Sequence, residues 1–245
     1  EFHSVVLRIK TRIAINVNSL MKYLKKAIEE VVLYQELLTP SAEEIRIGFE
    51  ITDTGDSATL ILGKIPEAIA GLQNPDCKIS MNNETLEQIF HYKRDAFALA
   101  ARARMDEVRP INYAFLNQEK ASLAIEAIKR LGTYFFLPGK IKIRQIQLEL
   151  AGEAHGAQPI PLAYWENLRS AWYFIPAGQT LNEAGEKDPW PQLFISISGK
   201  GKVVVDESVF DLQPKTAVYV PPNTVHQIQA NEMVELIWLA WDAPM

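Results

Sequence analysis

Cysteine is nearly absent from this sequence: Cys77 is the only one. An internal disulfide framework is therefore excluded, and the composition fits a reducing compartment. Long apolar runs are missing too, since no stretch approaches the roughly 20 residues a bilayer-crossing helix needs. Basic charge is in short supply, with 25 Lys and Arg against 30 Asp and Glu. The resulting net charge of -5 argues against non-specific nucleic-acid binding, which needs a basic surface to displace counterions. No Gly-x-Ser-x-Gly elbow, Walker loop or dinucleotide fingerprint occurs, and there is no internal repeat or low-complexity tract. The chain opens on Glu1-Phe2-His3-Ser4, with neither an initiator methionine nor signal-peptide architecture. Targeting is thus left open, and cytoplasm is the default expectation. What is present is a globular composition, 48% hydrophobic and 22% charged. At 245 residues, two domains of ordinary size are expected.

Residues 1–17 read as an N-terminal arm, β-branched and partly alternating (Leu7, Ile9, Ile13, Ile15, Val17). From Asn18 the period changes to three and four residues: Leu20, Leu24, Ile28, Val31, Val32 and Leu38 mark an amphipathic helix that Ser19 caps and Pro40 ends. Its lysines (Lys22, Lys25, Lys26) precede its glutamates, the unfavourable order for the helix dipole. Membrane contact through this face is at most transient, because acidic residues share the helix. Ile45–Ile51 and Ala58–Leu62 form a hairpin around Thr54-Gly55-Asp56, and Asp76–Met81 is a further strand. Asn82 or Asn83 caps a short helix turning Leu86, Ile89 and Phe90 inward. Ala96–Met105 alternates like a strand, and Asn117 opens a second long helix ending at Gly132. Residues 18–133 therefore make an α+β domain. The aperiodic stretch 134–140 with Pro138-Gly139 reads as a linker, and 141–245 is almost purely β, beginning with a strand through Ile141, Ile143, Ile146, Leu148 and Leu150. Short strands with Gly and Pro punctuation predict a barrel or jelly roll.

In the C-terminal part, Phe194–Ser198 leads into Gly199-Lys200-Gly201 and a returning strand. Then come Leu212-Gln213-Pro214, Ala217–Val220, Pro221-Pro222 and His226. This ordered set resembles the two motifs of the cupin superfamily, over about Gln145–Pro244. The resemblance implies an inward-facing metal site of three histidines and a glutamate, and a homodimer formed through the cupin domain. Counting back from Gly199 puts the glutamate position on Gln192 and the histidine pair on Glu186 and Asp188, so only His226 fits the family pattern. An oxygen-rich site of Glu186, Asp188, Gln192 and His226 would suit manganese or iron, and less well zinc. For His226, a barrel-lining histidine bonded to a neighbour is the preferred reading.

The N-terminal order of long helix, hairpin, Asp76-Cys77-Lys78-Ile79-Ser80-Met81 and short helix is similar to the sterol carrier protein 2 type of lipid-binding fold, over about Leu20–Leu131. That resemblance implies a sheet covered by helices around an apolar tunnel. Candidate lining residues are Phe49 and Ile51, Leu60 and Leu62, Ile79 and Met81, Leu86, Ile89 and Phe90, and Phe97 and Leu99; a filled core would use the same residues. Cys77 is expected to be buried and inert, and His3, His91 and His155 to be surface residues. The combined expectation is a soluble two-domain binding protein for a small apolar or lipid-like ligand, with a metal-poor cupin domain for dimerisation or sensing. The alternative is a metal-dependent cupin enzyme of dioxygenase or isomerase type.

Overall fold

A computed structural model describes residues 19–39, 43–104 and 106–242. The expected arm at 1–17 lies outside them, as does Met105. The chain divides into two compact units, one of Glu1–Lys93 and Pro110–Ile143, the other of Arg94–Arg109 and Arg144–Met245.

In the first unit, helix α1 (Ser19–Glu30) buries Leu20, Leu24 and Ala27, the face its three-and-four periodicity requires. A 3-10 turn (Val32–Tyr34) and a single helical turn α2 (Gln35–Leu38) follow. Strands β1 (Ile45–Ile51), β2 (Ser57–Leu62), β3 (Glu67–Ala70), β4 (Cys77–Met81) and β5 (Asn112–Phe115) form one sheet in the order β3-β2-β1-β4-β5. β1 pairs antiparallel with β2 and parallel with β4. Helix α3 (Asn83–Phe90) begins where Asn82 accepts a hydrogen bond from the Thr85 N–H at 2.8 Å.

The second long helix, α5 (Ala121–Arg130), starts four residues later than Asn117. The Asn117 side chain is committed elsewhere: it donates to Asp76 Oδ1 at 3.0 Å across the sheet end. Gly132 does not stop the helix. It lies buried inside a wider π-type turn, Leu131–Phe135. The stretch read as a linker is core. Phe135 is buried, Phe136 meets Phe49 and Phe90 edge-on at 6.0 Å, and Tyr134 stacks on Tyr34. The Gly139 N–H donates to Glu30 at 2.8 Å, and the Lys142 N–H donates to the Tyr34 hydroxyl at 3.1 Å. Three consecutive aromatics bury too much area to be left in a linker.

Residues 96–104 form no strand. Ala96–Ala100 is a helical turn, α4, capped by Asp95, which accepts from the Ala98 N–H at 2.9 Å. It belongs to the second unit and buries Ala96 through Leu99 consecutively, a pattern without the period of two. Nor does 141–150 pair as a strand: Ile141, Ile143, Ile146 and Leu148 are exposed, and only Leu150, in a 3-10 turn (Leu148–Leu150), is buried. The first strand of this unit is β6 (Gln158–Trp165). Then follow β7 (Leu168–Ile175), β8 (Thr180–Leu181), β9 (Gln192–Ser198), β10 (Gly201–Val205), β11 (Ser208–Leu212), β12 (Ala217–Val220), β13 (His226–Ala230) and β14 (Val234–Trp241).

These strands form two sheets, β12-β9-β14-β7-β6 and β11-β10-β13-β8, packed around one core that includes Tyr173, Phe194, Val203, Ile228, Leu236 and Trp238. The expected barrel is thus a two-sheet sandwich among the described residues, with no ladder closing it. Gly199 makes the β9–β10 turn with φ +80°, and a side chain there would overlap the Met233 carbonyl. Gly152 packs so closely on the Ala98 carbonyl that a methyl group would overlap it, which ties α4 to this unit. The buried Asp95 carboxylate pairs with Arg144 in the same unit.

Candidate functional site

Register shows which of the expected lining residues share a face. Ile47 pairs with Leu60 and Cys77, Ile45 with Leu62, Phe49 with Ile79, and Ile51 with Met81. Phe49, Ile51, Leu60, Leu62, Ile79 and Met81 therefore lie on one face of the first sheet, each at most 4% exposed. Leu86 and Ile89 are buried as well, and Phe90 stacks on Tyr23 with ring centroids 4.5 Å apart. Phe97 and Leu99 do not join them. They lie on α4 in the second unit, where Phe97 meets the ring of Tyr164 edge-on at 5.2 Å. Burial pushes the Cys77 thiol up to about 12.

In the second unit the four residues expected around a metal make separate commitments. Asp188 accepts from the Trp190 N–H at 2.8 Å and faces Arg169 at 3.4 Å. Gln192 accepts from the Trp238 indole N–H at 2.7 Å inside the core. Nδ1 of His226 lies 2.9 Å from the Thr224 carbonyl, and its buried Nε2 has no partner. Glu186 turns to His155. Among the described residues no three His, Cys, Asp or Glu side chains converge as a metal site would require. The donors present do not fit a divalent ion, and no step of chemistry is assigned to one.

The His155–Glu186 contact opens on a cleft of about 980 Å³, near the upper end of the usual range for ligand sites. Its walls include Arg104, Glu107, Arg109, Glu153, Gln158, Thr180 and Glu183, all from the second unit. His155 and Gly156 are the central residues of a tight turn closed by the Ala154–Ala157 bridge. Both have positive φ, +55° and +73°, as a type I′ turn demands, with histidine where asparagine is usual. The turn is anchored where the Asn182 N–H donates to the His155 carbonyl at 2.8 Å. The facing loop is held to β13, because Asn182 donates to the His226 carbonyl and Gln227 donates to the Asn182 carbonyl.

Both oxygens of Glu186 are engaged, one 2.5 Å from His155 Nδ1 and the other accepting from the Glu183 N–H at 3.0 Å. Desolvation raises the affinity of this carboxyl for its proton. The contacts with His155 and the Glu183 N–H, and the charges of His155 and His226, outweigh that, so Glu186 titrates below the usual glutamate value. His155 was expected to be a free surface residue; its partner is 31 positions away and invisible to local spacing. The one available signal was His-Gly directly before a strand, since histidine is enriched at positive φ.

Residues 173–241 match the family model of the cupin domain, and this part of the chain is a cupin domain. Solved structures similar to it include a cupin 2 conserved barrel domain protein from Salinispora arenicola (20% identity, 42% of this chain and 90% of that one, TM-score 0.38). Another is a cupin superfamily protein from Desulfitobacterium hafniense (16%, 44% and 95%, TM-score 0.36). A third is a salicylate 1,2-dioxygenase from Pseudoaminobacter salicylatoxidans (20%, 35% and 26%, TM-score 0.31). No curated protein matches the chain. No helix among the described residues is long and apolar enough to cross a membrane.

Proposed function

We propose that the cupin-bearing unit binds a small polar molecule in the His155–Glu186 cleft. The observation that carries this reading is the cleft itself, a ligand-sized space with an ordered histidine–carboxylate pair on its wall. The other lining groups offer acceptors at Glu153 and Gln158 and cations at Arg104 and Arg109, so the ligand is polar and hydrogen-bonding rather than greasy. Ala184 lies exposed on the rim of the same space. Titration calorimetry against a panel of sugars, amines and small carboxylic acids should give a ligand whose binding Ala184→Trp abolishes while the melting temperature stays put. Equal affinity in wild type and Ala184→Trp would exclude the cleft.

A second reading concerns the first unit. The expected apolar or lipid-like ligand would sit against the sheet face that six buried apolar strand residues share. Displacement of a fluorescent fatty acid tests it, and a probe that never binds sinks it. The expected homodimer would pair through edge strand β11, where Val209 and Phe210 are exposed. Sedimentation should then show a dimer that Phe210→Glu converts to monomer.

A further inference from the structure

We infer that His155, oriented by Glu186, is a general base that removes a proton from carbon next to a carbonyl in a ligand bound in this cleft. The inference rests on the reading of the cleft as a ligand site and adds a reaction to it. A base needs three things: a free lone pair, a fixed direction and access. Glu186 supplies the first two. With its carboxylate 2.5 Å from Nδ1, that nitrogen carries the hydrogen and Nε2 keeps the lone pair. The carboxylate is itself pinned by the Glu183 N–H, and the histidine backbone is set by the tight turn. Access comes from the cleft, which the ring borders at 27% side-chain exposure.

In the step, the C–H bond breaks and its proton goes to Nε2. The bonding pair moves toward the neighbouring carbonyl, whose oxygen becomes an enolate. Arg104 lies on the same cleft, where it meets Asp106 at 3.7 Å and Glu183 at 3.5 Å, and it supplies a cation for that oxygen. Return of the proton from Nε2 to another carbon on the same face of a conjugated enolate completes an isomerisation with no co-reactant. Glu186 acts through His155 and is a positioning residue; His155 is the catalytic one.

Two measurements on the full chain test this. The first uses 5-nitrobenzisoxazole, an activated carbon acid: its C–H proton goes to the base, the N–O bond breaks and a coloured phenolate is released. Wild type should show saturable turnover. His155→Gln should lower kcat about a hundred-fold or more with KM little changed, on the order of a general base's contribution. Glu186→Gln should lower kcat with KM little changed, with Glu186→Asp recovering part of the loss. The second is acylation by diethylpyrocarbonate read by peptide mass spectrometry, in which His155 of wild type should react faster than His155 of Glu186→Gln. No turnover by wild type, turnover that survives His155→Gln, or an acylation rate indifferent to Glu186 each overturns the base. If instead Ala184→Trp leaves ligand affinity unchanged, the cleft reading itself has failed, which is a separate result.

Discussion

Single residues in the second unit carry stakes larger than their size. Gln192 is the partner of the Trp238 indole inside the core, so Gln192→Leu leaves a buried N–H without an acceptor. That should cost about 1–3 kcal/mol, measured by urea unfolding. Glu186 ties stability to acid. Its folded pKa is depressed, so its contribution is present above the ordinary glutamate value of about 4.3 and is lost as pH falls through the lower folded one. Melting curves taken through that window should fall more steeply for wild type than for Glu186→Gln. In the first unit the buried thiol of Cys77, pushed up to about 12, should ignore a thiol reagent at pH 8 until the protein is denatured. Its inertness was readable from the sequence, because a small hydrophobe in the middle of an alternating strand has few other fates. The His155 pair was not readable, since nothing local records which loop 31 residues on will face it.

Elements declare themselves in sequence when their own periodicity decides them. Strands β1, β2, β4 and β12 lie where alternation put them, and α3 is capped by Asn82, while the long helix expected through Leu38 stops at Glu30 and leaves Val32 exposed. The misread elements are those whose partner decides them. Ala96–Ala100 has a strand-like look, but the Asp95 cap and unbroken burial make it helical. Residues 141–150 have the alternation of a strand and no neighbour to pair with. The close approach of Gly152 to the Ala98 carbonyl makes a sharp test of where α4 belongs. Gly152→Ala should destabilise the second unit by about 1–3 kcal/mol, as overpacking does, with the loss seen in its own unfolding transition.

At the scale of the whole chain, the cupin domain was legible because its motifs are local turns: Gly199-Lys200-Gly201, Leu212-Gln213-Pro214 and Pro221-Pro222. The boundary between units was not, because the second unit is built from two separate stretches of chain, Arg94–Arg109 and Arg144–Met245. A fragment of residues 144–245 would lack α4 and leave Arg144 without Asp95. It should melt well below the same unit in the intact chain and bind a hydrophobic dye, since the surface that Phe97 and Leu99 cover would be left open to water.

Divided construction also gives synthesis on the ribosome an order. The α4 segment leaves the exit tunnel before the rest of the first unit is finished, and roughly 60 residues before β6, against which it packs, is available. At about 5–20 residues per second that interval is on the order of 3–12 s, during which Phe97 and Leu99 have no sheet to cover them. An apolar segment held waiting in this way is a natural client for a nascent-chain chaperone, and slowing translation across residues 101–157 should lengthen that exposure.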